Sequence, residues 1–145
     1  VTEIRRFYAL DDCGTRINPM IIEGQVHGGL TEALAVALGQ EIAYDDMGNV
    51  KTGTLMDFFL PTAWEVPNYE TDFTVTPSPH HPIGAKGVGE CATVGGPAAF
   101  VNAVMNALHE KGVRNIDMPL MPNRVYEALT TGKDIYGMPP VRLGS

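Results

Sequence analysis

Two consecutive glycines, Gly28 and Gly29, interrupt a segment that otherwise has the pattern of a long amphipathic helix. From residue 20 to about residue 40, apolar side chains recur at every fourth position, which is the spacing of a helix with one buried face. Asn18 and Pro19 precede it as a typical helix start. Because each glycine inside a helix costs about 1 kcal/mol relative to alanine, something must approach this backbone closely. Tight packing by a neighbouring element and a ligand that runs past the helix are both open explanations.

The rest of the sequence predicts an α+β fold, in which a mixed sheet packs with two main helices plus a short C-terminal helix. β-branched and aromatic residues indicate the strands, and turn-rich stretches separate the elements. The expected elements are strands at 1–10 and 72–76, a hairpin-like connection within 41–59, a second helix from 96 to about 112, and a short helix at 122–129 that lacks a good N-cap.

Length and charge narrow the class of protein. The 145 residues are one domain's worth of chain, enough to bury a single core. A net charge of −7 disfavours nucleic acid as a partner. No apolar run approaches the ~20 residues that span a bilayer, and no segment has the pattern of a signal peptide, so we expect a cytoplasmic protein with no transmembrane segment. The sequence begins at Val1, without an initiating Met or a polar N-terminal segment. We therefore expect that it begins inside a larger polypeptide, and the alternative is a processed or trimmed N-terminus.

The two cysteines, Cys13 and Cys91, belong to no CxxC pair. Neither a zinc site nor a disulfide framework is therefore indicated, and free thiols are expected. His80 and His81 are adjacent and precede Pro82, a geometry that favours a loop-structuring role over metal ligation. His27 and His109 fall in predicted helices, where a core or surface role is expected.

The long stretch between Pro77 and Pro97 has no periodicity and exceeds the usual connection of about 4–6 residues. Within it, residues 84–90 read GAKGVGE, and we call them the glycine loop. Without side-chain bulk, its backbone N–H groups can turn towards an anion or a polar ring system, and Lys86 adds charge. Glu90 follows where the backbone is most open and could act as a general base, although most glutamates are simply solvated.

Two nucleotide-binding motifs fit poorly. Residues 87–92 formally match GxGxxA, but they follow His80, His81 and Pro82 rather than a buried strand. The Walker A pattern fails because Asp134 follows Gly132 and Lys133.

Several motifs together resemble the molybdopterin-binding large subunits of the xanthine oxidase/aldehyde oxidase family. The sequence reads DCG at 12–14, GQVHGG at 24–29 and HPIGAKGVGE at 81–90. The resemblance runs from residue 1 to about 129, and within the family it favours the carbon monoxide dehydrogenase branch. It implies that residues 1–145 are a C-terminal molybdopterin-binding subdomain of a larger subunit.

The resemblance also implies roles for individual residues. Glu90 would be the active-site carboxylate beside molybdenum and would act as a base. The pterin dinucleotide would be bound by Gln25 and by the backbone of the glycine loop, and the adjacent Gly28 and Gly29 would let the helix come close to it. The cofactor contacts implied are Gln25, Lys86, Gly87, Val88 and Gly89, and no side chain of this chain is assigned to a metal.

The activity implied is that of a molybdenum hydroxylase-type oxidoreductase that oxidises carbon monoxide with water to carbon dioxide. The alternatives are an aldehyde or N-heterocycle hydroxylase on the same scaffold, or a non-catalytic binding module when the chain is isolated. The cofactor would be molybdopterin in its cytosine dinucleotide form with molybdenum. Copper would be held by a segment absent here, and neither Cys13 nor Cys91 is assigned to it.

The partners implied are the remainder of the large subunit, iron–sulfur and flavin subunits, and a small-molecule substrate. The isolated chain is expected to be inactive, because it supplies one wall of the cofactor site. It should also self-associate through an apolar face that the remainder of the subunit normally covers.

Overall fold

The structure is a computed structural model that describes residues 2–137. Its elements in chain order are β1 (Phe7–Asp12), α1 (Pro19–Leu38), β2 (Tyr69–Thr74), α2 (Cys91–Leu108), a 3-10 turn (His109–Lys111) and α3 (Pro122–Thr131). This composition of two strands and three helices confirms the α+β class. The described residues divide into two compact units. We call residues 2–34 with 61–97 the sheet unit, and residues 35–60 with 98–137 the C-terminal unit.

The sheet unit is built on a two-stranded parallel sheet. β1 pairs with β2 in a register that sets Phe7 opposite Tyr69 and Asp12 opposite Thr74. Because side chains alternate along a strand, one face of the sheet carries Phe7, Ala9 and Tyr69, which pack against a buried cluster of Val26, Leu30 and Ala92. α1 therefore lies against this face of the sheet.

Small residues let α1 and α2 approach each other closely within the sheet unit. A Cβ atom added to Gly96 would lie 2.5 Å from the Cβ of Ala33, and one added to Gly29 would lie 2.9 Å from the Cβ of Ala92. Ala33 is completely buried. A Cβ atom added to Gly28, by contrast, meets nothing within 4 Å. Packing therefore accounts for Gly29, while Gly28 leaves the helix backbone open to a ligand.

The start of α2 differs from the prediction. The sequence predicts that a helix opens at Gly96 and Pro97, whereas α2 begins at Cys91 and contains Pro97 inside it. Proline is costly within a helix because it lacks an N–H group, so the prediction placed it at the first turn. The contact of Ala92 and Gly96 with α1 stabilises the preceding turns as helix, and the irregular stretch ends at Glu90.

Other boundaries shift by a few residues. β1 is Phe7–Asp12 rather than 1–10, and β2 is Tyr69–Thr74 rather than 72–76. The hairpin-like connection is reduced to a single antiparallel bridge between Tyr44 and Val50. Its turn is held by the Asp45 carboxylate, which accepts hydrogen bonds from the backbone N–H groups of Met47 and Asn49.

The C-terminal unit has its own apolar cluster. α3 begins after Met121 without a side-chain cap, as predicted, and ends at Gly132, whose φ is +65°. The Arg124 guanidinium donates hydrogen bonds to the carbonyl oxygens of Asp117 and Pro119, which ties α3 to the preceding segment. The buried residues of this cluster are Leu108, Val113, Ile116, Leu120 and Ala128.

Within residues 2–137, one helical stretch, Cys91–Lys111, is long and apolar enough to cross a membrane by length and composition. The sequence predicted no transmembrane segment. Core helices of soluble proteins meet the same criterion, so this feature does not assign a location.

The helix contact generates a prediction for two neighbouring glycines in α2. Gly96→Ala should destabilise the chain by about 1–3 kcal/mol, since the new methyl group meets Ala33 and the helices must separate. Gly95→Ala should be neutral or stabilising by up to ~1 kcal/mol, because a Cβ atom there meets nothing within 4 Å. Urea denaturation of both variants measures the difference, and equal unfolding midpoints would contradict the proposed contact.

Candidate functional site

The glycine loop is anchored on the segment that follows β1. Gly14 and Ala85 form an antiparallel bridge, and the backbone N–H of Lys86 donates to the Cys13 carbonyl at 2.7 Å. The Gly84 carbonyl accepts hydrogen bonds from the N–H groups of Thr15 (3.1 Å) and Ser78 (2.9 Å). The first half of the loop is thus fixed by backbone bonds to two other segments.

This anchor requires glycine at two positions. Gly14 has a φ of +64° and Gly84 a φ of +73°, a region that favours glycine. A Cβ atom on Gly14 would collide with the Gly84 carbonyl oxygen, and one on Gly84 would lie 2.9 Å from the Cβ of Pro77. The two backbones therefore meet at a distance that leaves no room for side chains.

The second half of the loop is open. A Cβ atom added to Gly87 or Gly89 meets nothing within 4 Å. Among residues 2–137, no acceptor engages the backbone N–H groups of residues 87–90. Glu90 is exposed, and α2 begins directly after it. The surface here is a shallow depression of about 590 Å³ that is lined by residues 87–91 and Val94.

These features fit a polar or anionic cofactor. Unpaired backbone N–H groups at the start of a helix bind anions, because the helix dipole is positive there. The absent side chains of Gly87 and Gly89 let a flat ring system approach the backbone. The residues present are therefore compatible with the cofactor that the sequence resemblance implies, bound on this exposed surface.

The loop also packs against the apolar cluster of the sheet unit. Val88 is half-buried and packs against the cluster that contains Val26. Gln25, the residue before Val26, is exposed, and Gly28 is open on its outer side. The structure therefore places all the predicted cofactor contacts in the sheet unit.

Lys86 has an ionic partner that the sequence did not predict. Its ammonium lies 2.9 Å from the Asp12 carboxylate. Its backbone N–H is engaged by the Cys13 carbonyl. Contact between Lys86 and a cofactor remains a prediction, whereas its observed role is to hold the glycine loop on β1.

The histidines and cysteines also have local partners. The His81 Nε2 lies 2.8 Å from the Ala85 carbonyl, a hydrogen bond that structures the loop, as predicted. Cys13 and Cys91 are free thiols, and the Cys91 thiol donates to the Gly87 carbonyl at 3.5 Å. Partial burial, with the nearby Asp11 carboxylate, raises the pKa of the Cys91 thiol, which disfavours the thiolate that binds metals. In the described part of the chain, no three His, Cys, Asp or Glu side chains are grouped to hold a metal ion.

Asp12 is a site residue to which the sequence reasoning assigned no role. Its carboxylate contacts Lys86 and accepts a hydrogen bond from the Gly14 N–H at 2.9 Å. The sequence does contain a signal for this contact. Asp12 stands two residues before Gly14 at the end of a strand, which is the pattern of an Asx turn, in which the Asp side chain accepts a hydrogen bond from the backbone two residues later.

Comparisons with known proteins found similar sequences and structures. A family model described as a molybdopterin cofactor-binding domain matches residues 1–67. The carbon monoxide dehydrogenase large chain of Afipia carboxidovorans is 70% identical over 119 residues, which cover 82% of this chain and 15% of that protein.

Two solved structures are also similar. A crystal structure of Cu,Mo-CO dehydrogenase in its carbon monoxide reduced state matches with a TM-score of 0.86 and 64% identity, over 91% of this chain and 17% of that one. Quinoline 2-oxidoreductase from Pseudomonas putida 86 matches with a TM-score of 0.84 and 42% identity, over 90% of this chain and 17% of that one. The chain thus spans about one sixth of the length of these relatives.

The anchored and open halves of the loop should respond differently to alanine. Gly84→Ala should destabilise folding by about 1–3 kcal/mol, since both its positive φ and Pro77 oppose a side chain. Gly89→Ala is the matched control and should change stability by less than about 0.5 kcal/mol. Chemical denaturation compares the two variants, and a larger loss for Gly89→Ala would overturn the assignment of the two halves.

Proposed function

Because the chain belongs to the molybdopterin-binding large subunits of the xanthine oxidase family, we propose that it forms one wall of a molybdenum site, with Glu90 as the active-site carboxylate. The observation that carries the proposal is the open half of the glycine loop, with unpaired N–H groups, no side-chain bulk and Glu90 at its end. Since the chain spans about one sixth of its relatives, the activity belongs to an assembly that includes the remainder of the large subunit.

The chain's own residues would bind and orient the cofactor. The N–H groups of Gly87, Val88 and Gly89 donate hydrogen bonds to its polar atoms, and the exposed amide of Gln25 does the same from α1. The open backbone at Gly28 lets the cofactor lie close to the helix. When bound, the molybdenum cofactor supplies the two-electron redox chemistry.

Glu90 would move a proton at the edge of this site. A carboxylate can accept a proton from water or substrate as the new bond to oxygen forms, and such general-base catalysis contributes about 10²- to 10⁴-fold to a rate. Its position directly after the open loop supports this role, because the carboxylate would then lie close to a ligand bound by the loop.

The reaction that we propose is CO + H₂O → CO₂ + 2 H⁺ + 2 e⁻. The support is the 70% identity to a carbon monoxide dehydrogenase large chain and the structural match to Cu,Mo-CO dehydrogenase. The cytosine dinucleotide form of the pterin, the copper ion, the iron–sulfur and flavin subunits that accept the electrons, and a cytoplasmic location are further parts of this proposal. Copper would be bound outside this chain, since Cys13 is buried and the Cys91 thiol donates a hydrogen bond to the Gly87 carbonyl.

Exposed apolar side chains support the proposed partner. Trp64 is 96% exposed and Met56 is 92% exposed, which is unusual for side chains of this size. The remainder of the large subunit would cover them.

A second candidate function is the hydroxylation of an N-heterocycle. It is favoured by the match to quinoline 2-oxidoreductase, which covers 90% of the chain at 42% identity. The same loop and carboxylate would serve both reactions, so the distinction depends on groups outside this chain.

The role of Glu90 is tested by Glu90→Gln in the assembled enzyme. The variant should retain its molybdenum, because the loop backbone is unchanged, and lose about 10²- to 10⁴-fold in turnover, because the amide cannot accept the proton. Glu110→Gln is a suitable control, since Glu110 is also exposed and lies outside the site. Turnover equal to that of the unmodified enzyme would refute the role of Glu90.

The substrate is tested by metal analysis combined with dye reduction. Carbon monoxide oxidation predicts one copper per molybdenum and CO-dependent reduction of the dye. Molybdenum without copper, together with dye reduction by quinoline or an aldehyde, would instead support the second candidate.

A further inference from the structure

We propose that Asp12 is the positioning residue for the cofactor-binding loop, because its one carboxylate joins the end of β1, the segment after β2 and Lys86 of the glycine loop. This inference rests on the proposed function, because it takes the glycine loop to be the part of the chain that binds the cofactor. The geometry of the junction itself does not depend on that function.

The Asp12 carboxylate is a junction of three chain segments. Its Oδ1 accepts hydrogen bonds from the N–H groups of Gly14 (2.9 Å) and Thr76 (3.1 Å) and lies 2.9 Å from the Lys86 ammonium. Its Oδ2 accepts a hydrogen bond from the Thr74 hydroxyl at 3.3 Å. The Asp12 side chain is 23% exposed, so these contacts are partly shielded from water.

An ionised carboxylate suits this position because every partner is a donor. Asparagine would keep one acceptor oxygen but would lose the charge that binds Lys86. Hydrogen bonds from Thr76, Lys86 and Gly14 hold the pKa of the Asp12 carboxyl well below its usual range. Since the unfolded chain binds this proton more readily, the contribution to stability is complete above about pH 4 and is lost as the pH falls through the folded-state pKa.

The junction is connected to Glu90 by a short and constrained path. Lys86 is bound at its side chain by Asp12 and at its backbone N–H by the Cys13 carbonyl. Beyond it, the Gly87 carbonyl accepts from the Cys91 thiol and the Val88 carbonyl accepts from the Cys91 N–H. A shift of Lys86 must therefore move the open half of the loop that ends at Glu90.

The first test is amide hydrogen exchange in the 145-residue chain, without cofactor. Asp12→Asn should raise exchange at the hydrogen-bonded backbone N–H groups of Gly84, Lys86 and Cys91 by about tenfold or more, the size expected for loss of a charged hydrogen bond. The matched control is Glu70→Gln, which breaks the Arg6–Glu70 ion pair (2.9 Å) in the same sheet and should leave the loop unchanged.

Lys86→Met keeps the test decisive if Asp12→Asn fails to fold. It removes the ion pair but leaves the backbone donors to Asp12, so exchange should rise only at the hydrogen-bonded N–H groups of residue 86 and Cys91. Unchanged exchange in the loop of either folded variant, or an equal increase in Glu70→Gln, would overturn the proposal.

The second test uses the assembled enzyme. A misplaced loop should lower kcat by about tenfold to a hundredfold with a smaller effect on KM. If Asp12 acts through Glu90, Asp12→Asn should add little further loss of kcat in a Glu90→Gln background. Independent, multiplicative losses would contradict action through Glu90. Full activity of Glu90→Gln alone would refute the proposed function while leaving the exchange result intact.

Discussion

The close approach of α1 and α2 in the sheet unit is the contact on which the rest of the site depends. It is possible only because Gly29 and Ala33 on one helix face Ala92 and Gly96 on the other. Since α2 begins directly after Glu90, this contact fixes where the glycine loop ends. The bond between the Lys86 N–H and the Cys13 carbonyl fixes where its open half begins. The loop is therefore held at both ends, and only its middle is available to a ligand.

This arrangement separates two uses of glycine that look alike in a sequence. Gly14 and Gly84 serve the anchor, because their positive φ values and the crowded backbones exclude a side chain. Gly87 and Gly89 have open space around them, so their lack of a side chain matters to whatever approaches from outside. The same distinction applies within α1, where Gly29 packs against α2 and Gly28 faces open space. A fixed scaffold with an exposed backbone strip is what a preorganised binding site requires.

Much of this could be predicted from the sequence, and the failures have physical causes. The period of α1, the mid-helix glycines and the open loop with Glu90 are local patterns, and the structure has them where they were expected. The predicted start of α2 was wrong, because the tertiary contacts of Ala92 and Gly96 outweigh the local cost of Pro97 within the helix. The role of Asp12 was missed because its partners Thr76 and Lys86 are more than sixty residues away in the chain. Interactions of that range leave no periodic signal.

The central claim is that residues 87–90 and the Gly28 side of α1 form one wall of a molybdopterin site. A crystal or cryo-EM structure of the assembled, cofactor-loaded subunit tests it most directly. The claim predicts backbone N–H groups of Gly87, Val88 and Gly89 at hydrogen-bond distance from the cofactor, about 2.7–3.2 Å, with the Glu90 carboxylate facing the metal. A cofactor bound elsewhere, with this loop left in solvent, would contradict it.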